Sequence, residues 1–145
     1  MNTRVAFFKN QVGKTTWQFP YPLMDWMTAQ ALEAEEGFVK MQFTVQDYML
    51  NPLQILHGGV AATMLDELMG AAGLLMNRPV GYATINMSVD YLHSAKLHEV
   101  LIGEGKIIRA GKTVMHAEAK LTTVDGKLIA KATSNIIATN VAIPG

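Results

Sequence analysis

Residues 51–76 read NPLQILHGGVAATMLDELMGAAGLLM, and their pattern decides the architecture of the chain. From Gly58 to Met76 the residues are apolar nearly all round, a stretch about long enough to span a bilayer. Its middle carries Asp66 and Glu67, two acids that are costly in lipid, and Asn77, Arg78 and Pro79 end it. A helix buried inside a soluble fold is therefore expected, and a transmembrane span is not. Such a helix cannot lie on a surface, so a sheet must wrap it.

The flanking sequence supplies that sheet. Upstream, Val39, Met41, Phe43 and Val45 alternate with Lys40, Gln42 and Thr44, the period of a strand with one buried face. Before it, Pro22, Leu23, Met24, Trp26, Met27, Ala31 and Leu32 suggest an amphipathic helix opening at the proline and closing near Gly37. Downstream, Ala83 to Tyr91 alternate, with Thr84, Asn86, Ser88 and Asp90 forming the polar face. Glu99 to Arg109 and Met115 to Thr122 read as further strands, and Asp125-Gly126 is a hairpin signal leading into Lys127 to Thr139. The order is strand, long helix, then four strands in meander. This predicts an α+β fold, an antiparallel sheet of about five strands curled around one central helix, the hotdog arrangement. Residues 1–145 read as a single domain, with 1–36 as an N-terminal extension and short helix. The edge strand would be open in a monomer, so at least a homodimer is expected, with assembly into a homotetramer.

Composition narrows the function. The 145 residues include 12 basic and 12 acidic side chains and no cysteine, and half are hydrophobic. Cysteine chemistry is excluded: no thiol nucleophile, thiolate zinc site or iron–sulfur cluster can form. Zero net charge gives no footprint for nucleic acid. Met1 to Pro22 lacks the continuous apolar run of a signal peptide, and the cysteine-free composition is compatible with the cytoplasm, the expected location. Several partial motifs also fail. Gly13-Lys14-Thr15 and Gly111-Lys112-Thr113 resemble the end of a phosphate loop, but the glycine required five residues earlier is Phe8 or Lys106. Gly103 and Gly105 begin a dinucleotide fingerprint that Ile108 interrupts. The histidines at 57, 93, 98 and 116 lack metal-ligand spacing, and the serines at 88, 94 and 134 sit in no nucleophile elbow. Neither a metal nor a cofactor is expected.

What remains is the entry to the buried helix. The pair Gly58-Gly59 leaves the first backbone N–H groups uncovered, and with the helix dipole they form a site for negative charge. Asp66 follows Gly59 by nearly two turns and projects on nearly the same face. A carboxylate on so apolar a helix is costly without a purpose or a partner. Other readings stand beside this one: His57 as a helix cap, the glycines as a packing device, Asp66 bonded to a neighbouring strand. Glu67, turned about 100° away, is expected at an interface or exposed edge.

These residues resemble the PaaI-like hotdog thioesterases, which hydrolyse acyl-coenzyme A thioesters. That family begins its central helix with His-Gly-Gly, places an acid nine residues after the His and an Asn or Gln six before it. Here these are His57-Gly58-Gly59, Asp66 and Asn51. The likeness continues through Thr84, Asn86 and Tyr91 and through Arg109 to Thr113, covering roughly residues 38–138. The resemblance implies that Gly58 N–H, assisted by Asn51, receives the thioester carbonyl. It implies that Asp66, contributed across a dimer interface, is general base or nucleophile, that Thr84 positions it or the water, and that His57 holds the turn. Gly59, Asn86, Tyr91, Arg109, Gly111, Lys112 and Thr113 would bind the substrate, the last four at the coenzyme A phosphates. Two alternatives are a non-catalytic acyl-CoA-binding module and a hotdog hydratase or dehydratase. The retained acid argues against the first, and the His57–Asp66 spacing fits the second poorly.

Overall fold

A computed structural model describes residues 1–14 and 21–144. Two helices come first, α1 (Thr3–Gln11) and α2 (Pro22–Trp26), then strands β1 (Gln30–Glu35) and β2 (Phe38–Thr44). A short 3-10 turn at Asp47–Met49 leads to α3 (Gly58–Leu74), followed by β3 (Val80–Tyr91), β4 (Val100–Ala110), β5 (Val114–Thr123) and β6 (Leu128–Ala142). The described strands form one antiparallel sheet in the order β1-β2-β4-β5-β6-β3. It curls around α3, so the α+β hotdog architecture expected from the central stretch is the one observed.

Three local expectations are corrected. The helix read from Pro22 to near Gly37 stops at Trp26, and the rest is a strand, making six strands where about five were expected. The break is at Thr28, whose φ of 55° leaves the helical region and whose hydroxyl donates to Thr44 O (3.0 Å) and accepts from Thr44 N (3.0 Å). Gly37, read as a helix terminator, instead turns β1 into β2 at φ 71°; the left-handed backbone it supplies serves a hairpin as well as a helix end. The meander is real only for β4, β5 and β6. After α3 the chain crosses to the far edge, where β3 pairs with β6 and leaves its other side open.

The apolar pattern of α3 resolves into a stripe, Ala61, Met64, Leu65, Leu68, Met69 and Ala72, at helical spacing and buried against the sheet. A fully buried Leu or Met contributes about 1.5–3 kcal/mol. The rejected fingerprint glycines serve this packing: side chains at Gly103 or Gly105 would strike Leu68, the latter its backbone carbonyl. Methionines 24, 27, 41, 49, 64, 69 and 115 are all buried, their flexible thioethers filling the curved space between sheet and helix. Among the described residues no helix is long and apolar enough to cross a membrane.

Candidate active site

The N-terminus of α3 is assembled by short-range bonds. Asn51 Oδ1 accepts from Leu53 N (2.9 Å) and Ile55 N (3.3 Å), which folds the loop into a tight turn with Gln54 at φ 62°. Leu56 N donates to Ala95 O (2.8 Å) and His57 N to Met49 O (2.9 Å), clamping the loop against its neighbours. His57 is the N-cap: Nδ1 accepts from Gly59 N at 2.8 Å, and its carbonyl accepts from Val60 and Ala61 N. The neutral ring therefore carries its proton on Nε2. A Cβ on Gly59 would lie 3.1 Å from two ring atoms, so glycine lets the imidazole cover that amide. Gly59 N–H is thus occupied, whereas Gly58 N–H finds no acceptor among the described residues. With Asn51 Oδ1 committed to the loop, its Nδ2 is left as a second donor. Tyr91 donates to Gly58 O (2.8 Å) and steadies the first turn. A cavity of about 350 Å³ holds Asn51, Gly58 and Tyr91 together.

The acids stand farther along. Asp66 lies eight residues beyond Gly58, about 12 Å along the axis. Its Oδ1 accepts from Thr84 Oγ1 at 2.8 Å. Thr84 reaches it because β3 is bulged: Thr84 opposes Ile136, Asn86 opposes Asn135, and Ile85 between them has no partner. The single polar face expected on this strand is accordingly wrong. The extra residue turns Thr84 toward α3, sends Asn86 to the outer face of the sheet, and leaves Ile85 52% exposed. On that outer face Asn86 Oδ1 accepts from Asn135 N and Nδ2, and His116 Nδ1 donates to Asn135 Oδ1. Thr84 and Asn86 are not brought together.

Glu67 is not at an exposed edge, one of the two places expected for it. It is half-buried, and both its carboxylate oxygens accept from the Tyr21 hydroxyl at 2.8 Å. Burial raises its pKa most, the hydrogen bond from Tyr21 lowers it, and the neighbouring Asp66 charge raises it; the net direction is upward. The Tyr21 pKa is raised as well, by burial and then by Glu67. Asp66, Glu67 and Thr84 share a cavity of about 440 Å³, separate from the one at Gly58.

The β4–β5 turn presents Arg109 and Lys112, neither with an ion-pair partner among the described residues. Two residues that sequence reasoning missed hold this turn. Arg78 donates to Gly111 O (3.3 Å) and Ala110 O (3.4 Å), and Tyr82 donates to Lys112 O (3.1 Å). Some thirty residues separate them from the turn, so no local spacing could have revealed the pairing. Thr113 O accepts from Ala138 N, and a side chain at Gly111 would strike Val114 O. Among the described residues no group of three His, Asp or Glu could hold a metal.

Comparisons with known proteins place the fold and the family. The Thioesterase superfamily profile matches residues 53–130, which span α3, its glycine entry, Asp66 and Thr84. Acyl-coenzyme A thioesterase 13 of Homo sapiens is 31% identical over 101 residues, 69% of this chain and 72% of the relative. The structure of smu.793 from Streptococcus mutans, bound to acetyl CoA, superposes with a TM-score of 0.75 at 26% identity, covering 79% of this chain and 91% of that one. The PaaI protein of E. coli shares the fold, with a TM-score of 0.80 at 18% identity over 86% of this chain and 89% of its own. The chain belongs to the thioesterase superfamily, and its sheet curled around α3 is the hotdog fold seen in the PaaI protein.

Proposed function

We propose that this protein hydrolyses acyl-coenzyme A thioesters at sites completed by two copies of the chain. The observation that carries the reading is the separation of the two half-sites. The donors at Gly58 and Asn51 open into one cavity, and Asp66 with Thr84 into another about 12 Å along the same helix. One copy cannot aim its own Asp66 at a carbonyl held by its own Gly58. A second copy can. Strand β3 is a twelve-residue edge paired, among the described residues, only with β6, and antiparallel pairing of two such edges brings the half-sites of different copies face to face. A tetramer would then form from two dimers.

In the reaction, the thioester oxygen accepts from Gly58 N–H and Asn51 Nδ2, each donor lowering the barrier by about 3 kcal/mol as charge develops on oxygen. Asp66 of the second copy, oriented by Thr84, removes a proton from water as the water attacks the carbonyl carbon. The C–S bond then breaks, and the leaving thiolate takes up the proton. Direct attack by Asp66, through an anhydride that water later opens, uses the same geometry. His57 holds the turn, its Nδ1 engaged by Gly59 N–H. Arg109 and Lys112 meet the coenzyme A phosphates, with Gly111 and Thr113 shaping the turn. Gly59 acts through that cap, Tyr91 steadies the carbonyl side of Gly58, and Asn86 stiffens the strand behind Thr84.

The test is a panel of acyl-CoA thioesters assayed by release of free thiol. Turnover of at least one acyl class is expected. Absence of hydrolysis across acetyl, medium-chain, long-chain and aryl thioesters would refute the reading.

A further inference from the structure

Four residues from outside the matched family stretch close the cavity beside Asp66. Residues 53–130 contribute most of the lining, including Asp66, Glu67, Gly70, Leu74, Tyr82 and Thr84. Phe8 of α1, Tyr21 and Met24 at α2, and Ile143 beyond β6 supply the remaining wall. This wall is fastened in place. Arg4, 8% exposed, donates to Leu74 O (3.1 Å), Ile143 O (2.8 Å) and Pro144 O (3.2 Å), tying α1 both to the end of α3 and to the C-terminal segment. Asn2 Nδ2 donates to Leu75 O at 2.7 Å, a second tie to the same helix end. Tyr21 is clasped by Glu67 through both carboxylate oxygens.

We propose that Phe8, Tyr21 and Met24 form the acyl-selectivity wall, and that the substrates it favours carry an apolar acyl chain longer than acetyl. The proposal rests on the thioesterase reading above. An acyl carbon attacked beside Asp66 and Thr84 must send its tail into the cavity that holds both residues. That cavity, about 440 Å³, lies within the range of small-molecule sites, and most of its lining is apolar. The polar groups that line it are already bonded, Tyr21 to Glu67, Thr84 to Asp66 and the Tyr82 hydroxyl to Lys112 O, so an apolar tail need not strip any of them of that partner. Gly70 stands one turn beyond Asp66 on the same helix face, and a Cβ there meets nothing within 4 Å among the described residues. A side chain introduced at that point leaves the helix into the cavity it lines.

The experiment compares kcat/KM for acetyl-, octanoyl- and dodecanoyl-CoA in the wild type and in Gly70→Leu, Phe8→Ala and Tyr21→Ala. The readout is the ratio between chain lengths, which does not depend on how much of each variant is folded. Filling an apolar pocket by one group shifts discrimination about tenfold or more. Gly70→Leu should lower the octanoyl-to-acetyl ratio by that factor, and Phe8→Ala and Tyr21→Ala should raise the dodecanoyl-to-octanoyl ratio. A wild type active on these thioesters, with ratios unchanged in Phe8→Ala and Tyr21→Ala, would overturn the wall while leaving the thioesterase reading intact. A wild type inactive on every thioester of the wider panel overturns both.

Discussion

The entry of α3 and its middle are made of different materials. At residues 57–59 the working groups are backbone amides, sorted by a side chain two residues away: His57 occupies Gly59 N–H and leaves Gly58 N–H open. At residues 66–67 the working groups are carboxylates, sorted by partners 18 and 46 residues away, Thr84 for Asp66 and Tyr21 for Glu67. A helix end can be finished locally because its orphan donors lie within reach of the adjoining loop. A mid-helix carboxylate has no such neighbour, so its environment is whatever the sheet and the N-terminal segment bring to it. The entry is therefore finished by the loop beside it, while the surroundings of each acid are decided by tertiary contacts.

The sharpest way to break that comparison is at the acids. Asp66→Asn should keep the fold and lower turnover roughly a hundredfold or more, as loss of a general base or nucleophile requires. Glu67→Gln, one residue along, should lower it less than tenfold, since Tyr21 rather than Thr84 holds that side chain. A larger loss at Glu67 would reverse the assignment.

The next test joins the two regions. Asn51→Ala should be nearly inactive by itself, and mixing it with Asp66→Asn should restore activity. After subunit exchange roughly a quarter of wild-type turnover is expected, because half the dimers are mixed and each keeps one intact site of two. Sedimentation showing exchanged dimers with no recovery would place donor and acid in the same copy.

His57 separates a cap from a base. His57→Ala should cost about 1 kcal/mol as an N-cap loss, a fall in Tm of about 2–4 °C, with turnover reduced less than tenfold. His57→Asn, which caps equally well, should recover the Tm. A base role would leave His57→Asn as slow as a general-base knockout.

The smallest effect expected is electrostatic. The pKa of Glu67 is raised in the folded state, so its ionised form opposes folding. Stability linked to this group is fully present below the unfolded carboxylate pKa and is lost as pH rises through the raised folded value. Glu67→Gln, which is neutral throughout, should therefore gain Tm relative to wild type near pH 7.5, and the gain should shrink toward pH 4.5. Thermal melts at the two values measure it; a gain that grows on acidification would contradict the burial argument.

Much of this molecule is local in origin, and that part was readable from residues alone. The period of β2, the stripe of α3 and the His57-Gly58-Gly59 entry follow from side-chain direction and backbone freedom over a few residues. A helical period joins Met27 to Ala31, four apart, but the backbone turns at Thr28, and Ala31 lies on the buried face of a strand bulged near Leu32. The polar face assigned to β3 failed for a related reason. Strict alternation joins Thr84 to Asn86, and a single unpaired residue at Ile85 separates them.

The sequence by itself determined the central helix, its open amide entry and the acid two turns beyond, because each depends on neighbours within a few residues. Tertiary structure alone decided that β3 lies beside β6, that Thr84 serves Asp66, that Tyr21 engages Glu67, and that Arg78 and Tyr82 hold the turn at 110–112. These pairings join residues 18 to 60 or more positions apart in the chain. Their physical basis is the closure of the sheet around α3, which a periodicity read along the chain does not contain.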